Sequence, residues 1–155
     1  MNIKAVVAGV ITGGLFMVIF PGLLILLNDY LSLPAFTSSP VKIVGVALMG
    51  LGAAIFIYCT RLFIKLGQGT PAPIAPATKL LAVGIYRFTR NPMYLGYFAV
   101  LFGEFLFFGR ILLLGYWLII IVFIHCYVVY WEEPRLERRF GKNYNSYRSQ
   151  VPRWL

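Results

Sequence analysis

The sequence predicts an all-α integral membrane protein of about four transmembrane helices, ending in a helical hairpin and a cytoplasmic amphipathic tail. Three observations predict it. The chain is 60% hydrophobic and only 12% charged, too apolar to present a water-facing surface. Uncharged runs of about 20 residues, the length that crosses a bilayer, recur along it. The basic residues behind the net charge of +9 gather in two places, after the second apolar run and at the C-terminus. A chain of 155 residues has room for a single domain, 1–155, with two spans in 1–65 and the hairpin and tail in 66–155.

The first span, Ala5 to Asn28, carries no charge and has Gly13-Gly14 and Pro21-Gly22 as packing or kink points. It exceeds the apolar region of a signal peptide and no Ala-x-Ala-type site follows, so it is expected to be retained. Asp29 to Pro40 is a short polar link. Lys42 opens the second span, uncharged from Ile43 to Thr60 and closed by Arg61 and Lys65. Its Gly45, Gly50, Gly52, Ala53 and Ala54 allow close helix packing, with backbone approach to a ligand as the alternative. Between Gly67 and Ala77, Pro71, Pro73 and Pro76 exclude a regular helix, and an extended strap on the membrane surface is expected.

The third span starts at Asn91 or Pro92 and runs to about Gly109. Asn91 suits an N-cap and Pro92 the first helical position, where its missing N–H costs nothing. Glu104 lies about 20 Å along this helix. A carboxylate inside a membrane is a functional candidate, but Arg110 is close enough in sequence to pair with it. Gly109-Arg110 makes the turn. The fourth span, Ile111 to Trp131, is uncharged and carries His125 on its last turns. In the basic segment that follows, Leu136, Phe140, Tyr144, Tyr147 and Val151 recur at three- and four-residue spacing. That predicts an amphipathic helix or helix pair on the membrane, with Trp154 at the interface.

Arg61, Lys65, Lys79, Arg87 and Arg90 belong on the side of the basic tail. Both termini are therefore expected in the cytoplasm, in an inner membrane or an endomembrane. Here the basic residues read as orientation signals and contacts with membrane lipids; no nucleic-acid motif is present. Cys59 and Cys126 stand alone in apolar runs without ligand spacing, so no metal site is expected.

A chain that crosses a bilayer and returns brings its ends to one surface. The polar stretch Gly84–Tyr94 should therefore meet the stretch from Trp131 to Trp154. The third helix starts with free N–H groups and partial positive charge, preceded by Arg90, and stabilises a ligand carboxylate. The fourth ends in Glu132 and Glu133, which repel each other where the helix dipole also disfavours them. Arg135, Arg138 and Arg139 or a bound cation would relieve this. Tyr86, Tyr94 and Trp131 offer ring faces to a sulfonium or quaternary ammonium. S-adenosyl-L-methionine, amino acids and choline-like molecules all satisfy this charge logic.

In order around one hairpin stand Gly84-x-Tyr86-Arg87-x-x-Arg90-Asn91-Pro92-x-Tyr94, then Glu132-Glu133, then Phe140-Gly141-x-x-Tyr144-x-x-Tyr147-x-x-x-Val151-Pro152-Arg153. With these residues the chain from about Gly67 to Trp154 resembles the integral-membrane methyltransferases that include isoprenylcysteine carboxyl methyltransferase and the phospholipid methyltransferases. Asn-Pro-Met-Tyr and Trp-Glu-Glu-Pro are similar to the phospholipid branch, the Phe-Gly-x-x-Tyr tail to the isoprenylcysteine branch. The resemblance implies that 66–155 is a methyltransferase core binding S-adenosyl-L-methionine. Its contacts would come from Thr78, Lys79, Leu80, Leu81 and Tyr86, from Asn91, Pro92, Met93 and Tyr94 behind Arg90, and from Glu132 and Glu133. The acceptor would be lipid-like or lipidated, methylated on O, N or S at the cytoplasmic face. Asn91 replaces the histidine of the isoprenylcysteine enzymes, and Tyr127-Val128-Val129 lies where they carry an arginine. Both departures weigh against a prenyl-cysteine substrate.

An acceptor that must first lose a proton needs a base, and Glu133 or His125 is expected in that role. Two rival readings predict different features. A non-enzymatic carrier or assembly subunit has no need of a glutamate pair at a helix end. A nicotinamide-dependent reductase needs a glycine-rich phosphate loop between strand and helix, which is missing here.

Overall fold

The computed structural model describes residues 13–67 and 79–155, which are mainly helical with no named strand among them. The start of the first span, the proline-rich strap from Gln68 and the site candidate Thr78 lie outside the described residues. A π-helical turn, Leu15–Ile19, leads into α1 (Phe20–Tyr30). Helix α2 (Ser39–Leu62) runs on through a second π turn, Phe63–Gly67. A short 3₁₀ turn, Gly84–Arg87, precedes α3 (Pro92–Phe108). Helix α4 (Ile111–Tyr127) continues through a π turn, Val128–Glu132, into α5 (Glu133–Phe140), and α6 (Lys142–Gln150) follows. The continuous stretches Ser39–Leu66 and Ile111–Phe140 are long and apolar enough to cross a membrane; Leu15–Tyr30 and Pro92–Phe108 are shorter apolar helices.

Helices α2 and α3 meet through glycines. Gly45 faces Gly103, and Gly52 faces Gly96. A Cβ on Gly45 would lie 2.7 Å from the Gly103 carbonyl oxygen, and one on Gly96 would lie 2.8 Å from that of Gly52. No side chain fits there, so the backbones touch. Lipid tails are as apolar as leucine, and such close approach is what holds helices together in a bilayer. Gly50 has open space around it, so the packing role falls on Gly45 and Gly52.

The α3–α4 turn depends on Gly109, whose φ of +67° is the left-handed conformation that ends helices. Its N–H closes onto the Phe105 carbonyl at 2.7 Å, and its own carbonyl accepts the Phe36 N–H at 2.8 Å. Arg110 does not pair with Glu104, contrary to expectation. It reaches back to Asp29, Nε to Oδ1 at 2.6 Å. As the residue preceding α4 it has extended backbone, beside the end of α1. There the fully buried Asn28 accepts the Leu112 N–H at 3.2 Å and donates to the Leu33 carbonyl at 3.1 Å. Glu104 Oε2 is buried without a hydrogen-bond partner among the described residues. The hairpin itself packs through Leu101, Ile120, Ile124 and Val128, and the Trp117 indole donates to the Phe98 carbonyl at 3.0 Å.

Candidate functional site

The start of α3 and the far end of α4 come together, as a returning chain requires. Asn91 takes the N-cap position and Pro92 the first turn of α3. The Asn91 side chain does not cap the helix; its amide donates to the Arg153 carbonyl at 3.0 Å. Thr89 Oγ1 donates to the same carbonyl at 3.1 Å, and the Arg90 N–H to the Pro152 carbonyl at 2.9 Å. The last residues of the chain thus lie along Thr89–Asn91, and the capping side chain is drawn to them.

The glutamate pair follows the apolar run that ends at Trp131 and straddles the end of the π turn, a feature that often marks functional sites. Neighbouring helical residues point about 100° apart, so the two acids take different partners. Glu132 accepts the Tyr94 hydroxyl at 2.9 Å. Glu133 accepts Arg153 through Nε at 2.8 Å and Nη2 at 3.0 Å, and Arg90 Nη1 at 3.0 Å. Arg90 also donates to the Tyr144 hydroxyl at 3.3 Å. The Glu133 and Arg90 side chains are buried, at 8% and 9% exposure. The cations that compensate Glu133 are therefore Arg90 and Arg153 rather than the neighbouring Arg135, Arg138 and Arg139. Burial works to raise the Glu133 pKa. The Arg153 hydrogen bond and the charges of Arg90, Arg153 and Arg148 outweigh it, leaving the carboxyl below its usual range. Burial raises Glu132, and the repulsion of Glu133 adds to it, against the opposing Tyr94 hydrogen bond and Arg135 charge.

Between these groups lies a cavity of about 460 Å³, within the range of small-molecule sites. Of the residues singled out in the sequence, Lys79, Leu80, Leu81, Tyr86, Arg90, Asn91, Met93, Tyr94, Glu132 and Glu133 all line it. Pro92 is buried at the start of α3 and is not in the wall. His125 is also outside the wall. It is exposed, and its Nδ1 accepts the Trp154 indole N–H at 3.1 Å. Trp131 is 66% exposed and turned away from the cavity, so its ring offers nothing to a cation inside.

The tail supplies wall residues that sequence spacing assigned to the membrane. Leu136, Phe140, Tyr144 and Tyr147 face the cavity. Tyr144 is only 1% exposed, and the Tyr147 hydroxyl donates to the Tyr86 carbonyl at 2.6 Å. The side chains at this spacing line the cavity, and Gly141, at φ +52°, breaks the helix between α5 and α6. Phe63, Phe123, Ile124, Tyr127 and Val128 complete the apolar wall.

The donor set suits a ligand of mixed charge. Glu132 has Tyr94 as its hydrogen-bond partner among the described residues. Arg135 and Arg139 line the same cavity and join no ion pair among those residues. Beside the paired Glu133 and Arg90, the Glu132 carboxyl, the Lys79 ammonium and two guanidinium groups thus face a mainly apolar and aromatic space. No group of three or more metal-ligating side chains occurs among the described residues.

Residues 40–143 match the family described as phospholipid methyltransferase. No curated protein and no solved structure matches the chain.

Proposed function

The chain belongs to the phospholipid methyltransferase family, and from that premise we propose that it uses S-adenosyl-L-methionine to methylate a lipid-like acceptor at the cytoplasmic membrane face. The observation that carries this reading is the Tyr94–Glu132 hydrogen bond, which sets a carboxylate in the cavity wall at the junction of α3 and α4. When bound, S-adenosyl-L-methionine would supply a methyl group from a sulfonium whose sulfur departs as a neutral thioether. The protein's task is then to position donor and acceptor and keep water out.

Each wall residue has a role in this reading. Glu132 faces the cofactor's positive groups, with Tyr94 fixing its orientation. Arg139 receives the carboxylate. Leu80, Leu81, Ile124 and Val128 cover the apolar parts of the nucleoside. Tyr144 and Tyr147 close the cytoplasmic side and exclude water. Glu133, held by two arginines at a lowered pKa, is a brace rather than a base. Glu132 is the wall carboxylate placed to take a proton where the acceptor must lose one. Phe123, which lines the cavity and is 65% exposed on α4, marks the side open to an acceptor with an apolar tail.

The same reading places the protein in an inner or endomembrane as one multi-pass domain. It has four spans, the shorter apolar helices crossing beside the two long ones, and both termini in the cytoplasm. Purified protein incubated with methyl-labelled cofactor and a total lipid extract is expected to yield a labelled lipid by mass spectrometry. Absence of both label transfer and cofactor binding would favour a carrier or assembly subunit instead.

A further inference from the structure

A second concavity lies on the surface where α4 runs into α5. It measures about 270 Å³ and is lined by Tyr130, Trp131, Arg135 and Arg138. Trp131, Arg135 and Arg138 follow at spacings of four and three, which stacks them on one helical face. Tyr130 is 72% and Trp131 66% exposed, immediately after an uncharged run. Aromatic side chains in that position mark the headgroup level of a bilayer.

No ion pair holds the two guanidinium groups of the notch among the described residues. Arg138 Nε donates to the Pro134 carbonyl at 3.3 Å. The nearby Glu137 is engaged by Arg148 at 3.5 Å. Two arginine forks on one face match the oxygens of a phosphate, which accepts paired N–H donors. Because the aromatic pair sets the notch at headgroup depth, the phosphate that reaches it is that of a lipid.

We propose that Arg135 and Arg138, flanked by Tyr130 and Trp131, form a binding site for the phosphate of an anionic membrane phospholipid that is not the methyl acceptor. The site goes beyond the proposed methyl transfer and stands whether or not that reading holds. Arg135 also lines the large cavity, whereas Arg138 lines the notch alone, which makes Arg138 the residue to test.

The full chain is purified in mild detergent and mixed with equal parts of phosphatidylglycerol and phosphatidylcholine. Native mass spectrometry then counts the retained lipids. Wild type is expected to retain phosphatidylglycerol preferentially, and Arg138→Gln to weaken that preference roughly fivefold, the share of one arginine at an anionic surface. Lys142→Gln, a nearby basic residue outside the notch, is expected to keep it. Equal retention of the two lipids by wild type would overturn the proposal, as would an unchanged preference in Arg138→Gln. An equal loss in Lys142→Gln would show a diffuse surface charge and overturn it too. So would displacement of the lipid by millimolar inorganic phosphate, which would reassign the notch to a free anion. A preserved thermal unfolding midpoint in each variant excludes misfolding as the cause.

Discussion

The Tyr94 hydroxyl donates to Glu132 Oε2 at 2.9 Å, joining the first turn of α3 to the end of the α4 π turn across 38 residues of chain. A hydrogen bond of this kind contributes roughly 0.5–1.5 kcal/mol. Tyr94→Phe is therefore expected to weaken S-adenosyl-L-methionine binding by roughly tenfold, by freeing Glu132 to turn. Glu132→Ala, which removes the charge itself, is expected to weaken it further, by about a hundredfold. Titration calorimetry in detergent measures both. Unchanged affinity in the two variants would remove the cavity as the cofactor site.

Glu133 sits between two cations, and its loss leaves Arg90 buried without a counter-charge. Glu133→Ala is expected to destabilise the protein by roughly 3–5 kcal/mol, the cost of breaking a buried pair. Arg153→Ala is expected to cost less, because its side chain is 32% exposed and Arg90 still neutralises Glu133. Denaturant titration ranks the two. Limited proteolysis should also show the C-terminal segment released from Thr89–Asn91 in Arg153→Ala.

The lowered Glu133 pKa makes stability depend on pH. Because the folded value lies below the ordinary 4.5, its contribution is complete above that value. It is lost as pH falls from there through the folded value. The unfolding midpoint of wild type is expected to drop as the pH falls below about 4.5, and that of Glu133→Gln to drop less. Parallel curves for the two proteins would show that another group governs the acid limb.

The glycine contact between α2 and α3 leaves no room for a side chain. Gly96→Ala places its Cβ against the Gly52 carbonyl and is expected to cost roughly 1–3 kcal/mol, as overpacking does. Gly50→Ala, on the same helix as Gly52 but in open space, is expected to be neutral or slightly stabilising. Thermal unfolding in detergent separates them, and equal effects would show that the helices do not depend on this approach.

The meeting of the two polar stretches was legible from spacing alone. A there-and-back crossing leaves few alternatives, and Tyr94 and Glu132 are found where it puts them. The partners of Glu133 were not legible. Nearby arginines at 135, 138 and 139 look sufficient in the sequence, yet the helix aims Glu133 away from them toward Arg90 and toward Arg153, 20 residues on. Arg110 likewise pairs with Asp29, 81 residues away, in preference to the nearby Glu104. Charge proximity in sequence is a poor guide when helices fix side-chain directions.

Composition and run length set the helical, membrane-type character of this chain, because uncharged runs of span length have no other stable home. The order of its motifs set which ends must face each other. Folding in space decided what covers each apolar face. Spacing shows that Tyr144 and Tyr147 share a side with Leu136 and Phe140. It cannot show whether lipid or protein lies opposite, since both are equally apolar. The turn at Gly141 and the hydrogen bonds of Pro152 and Arg153 to Thr89–Asn91 settle that in favour of protein, and with it the closure of the cavity.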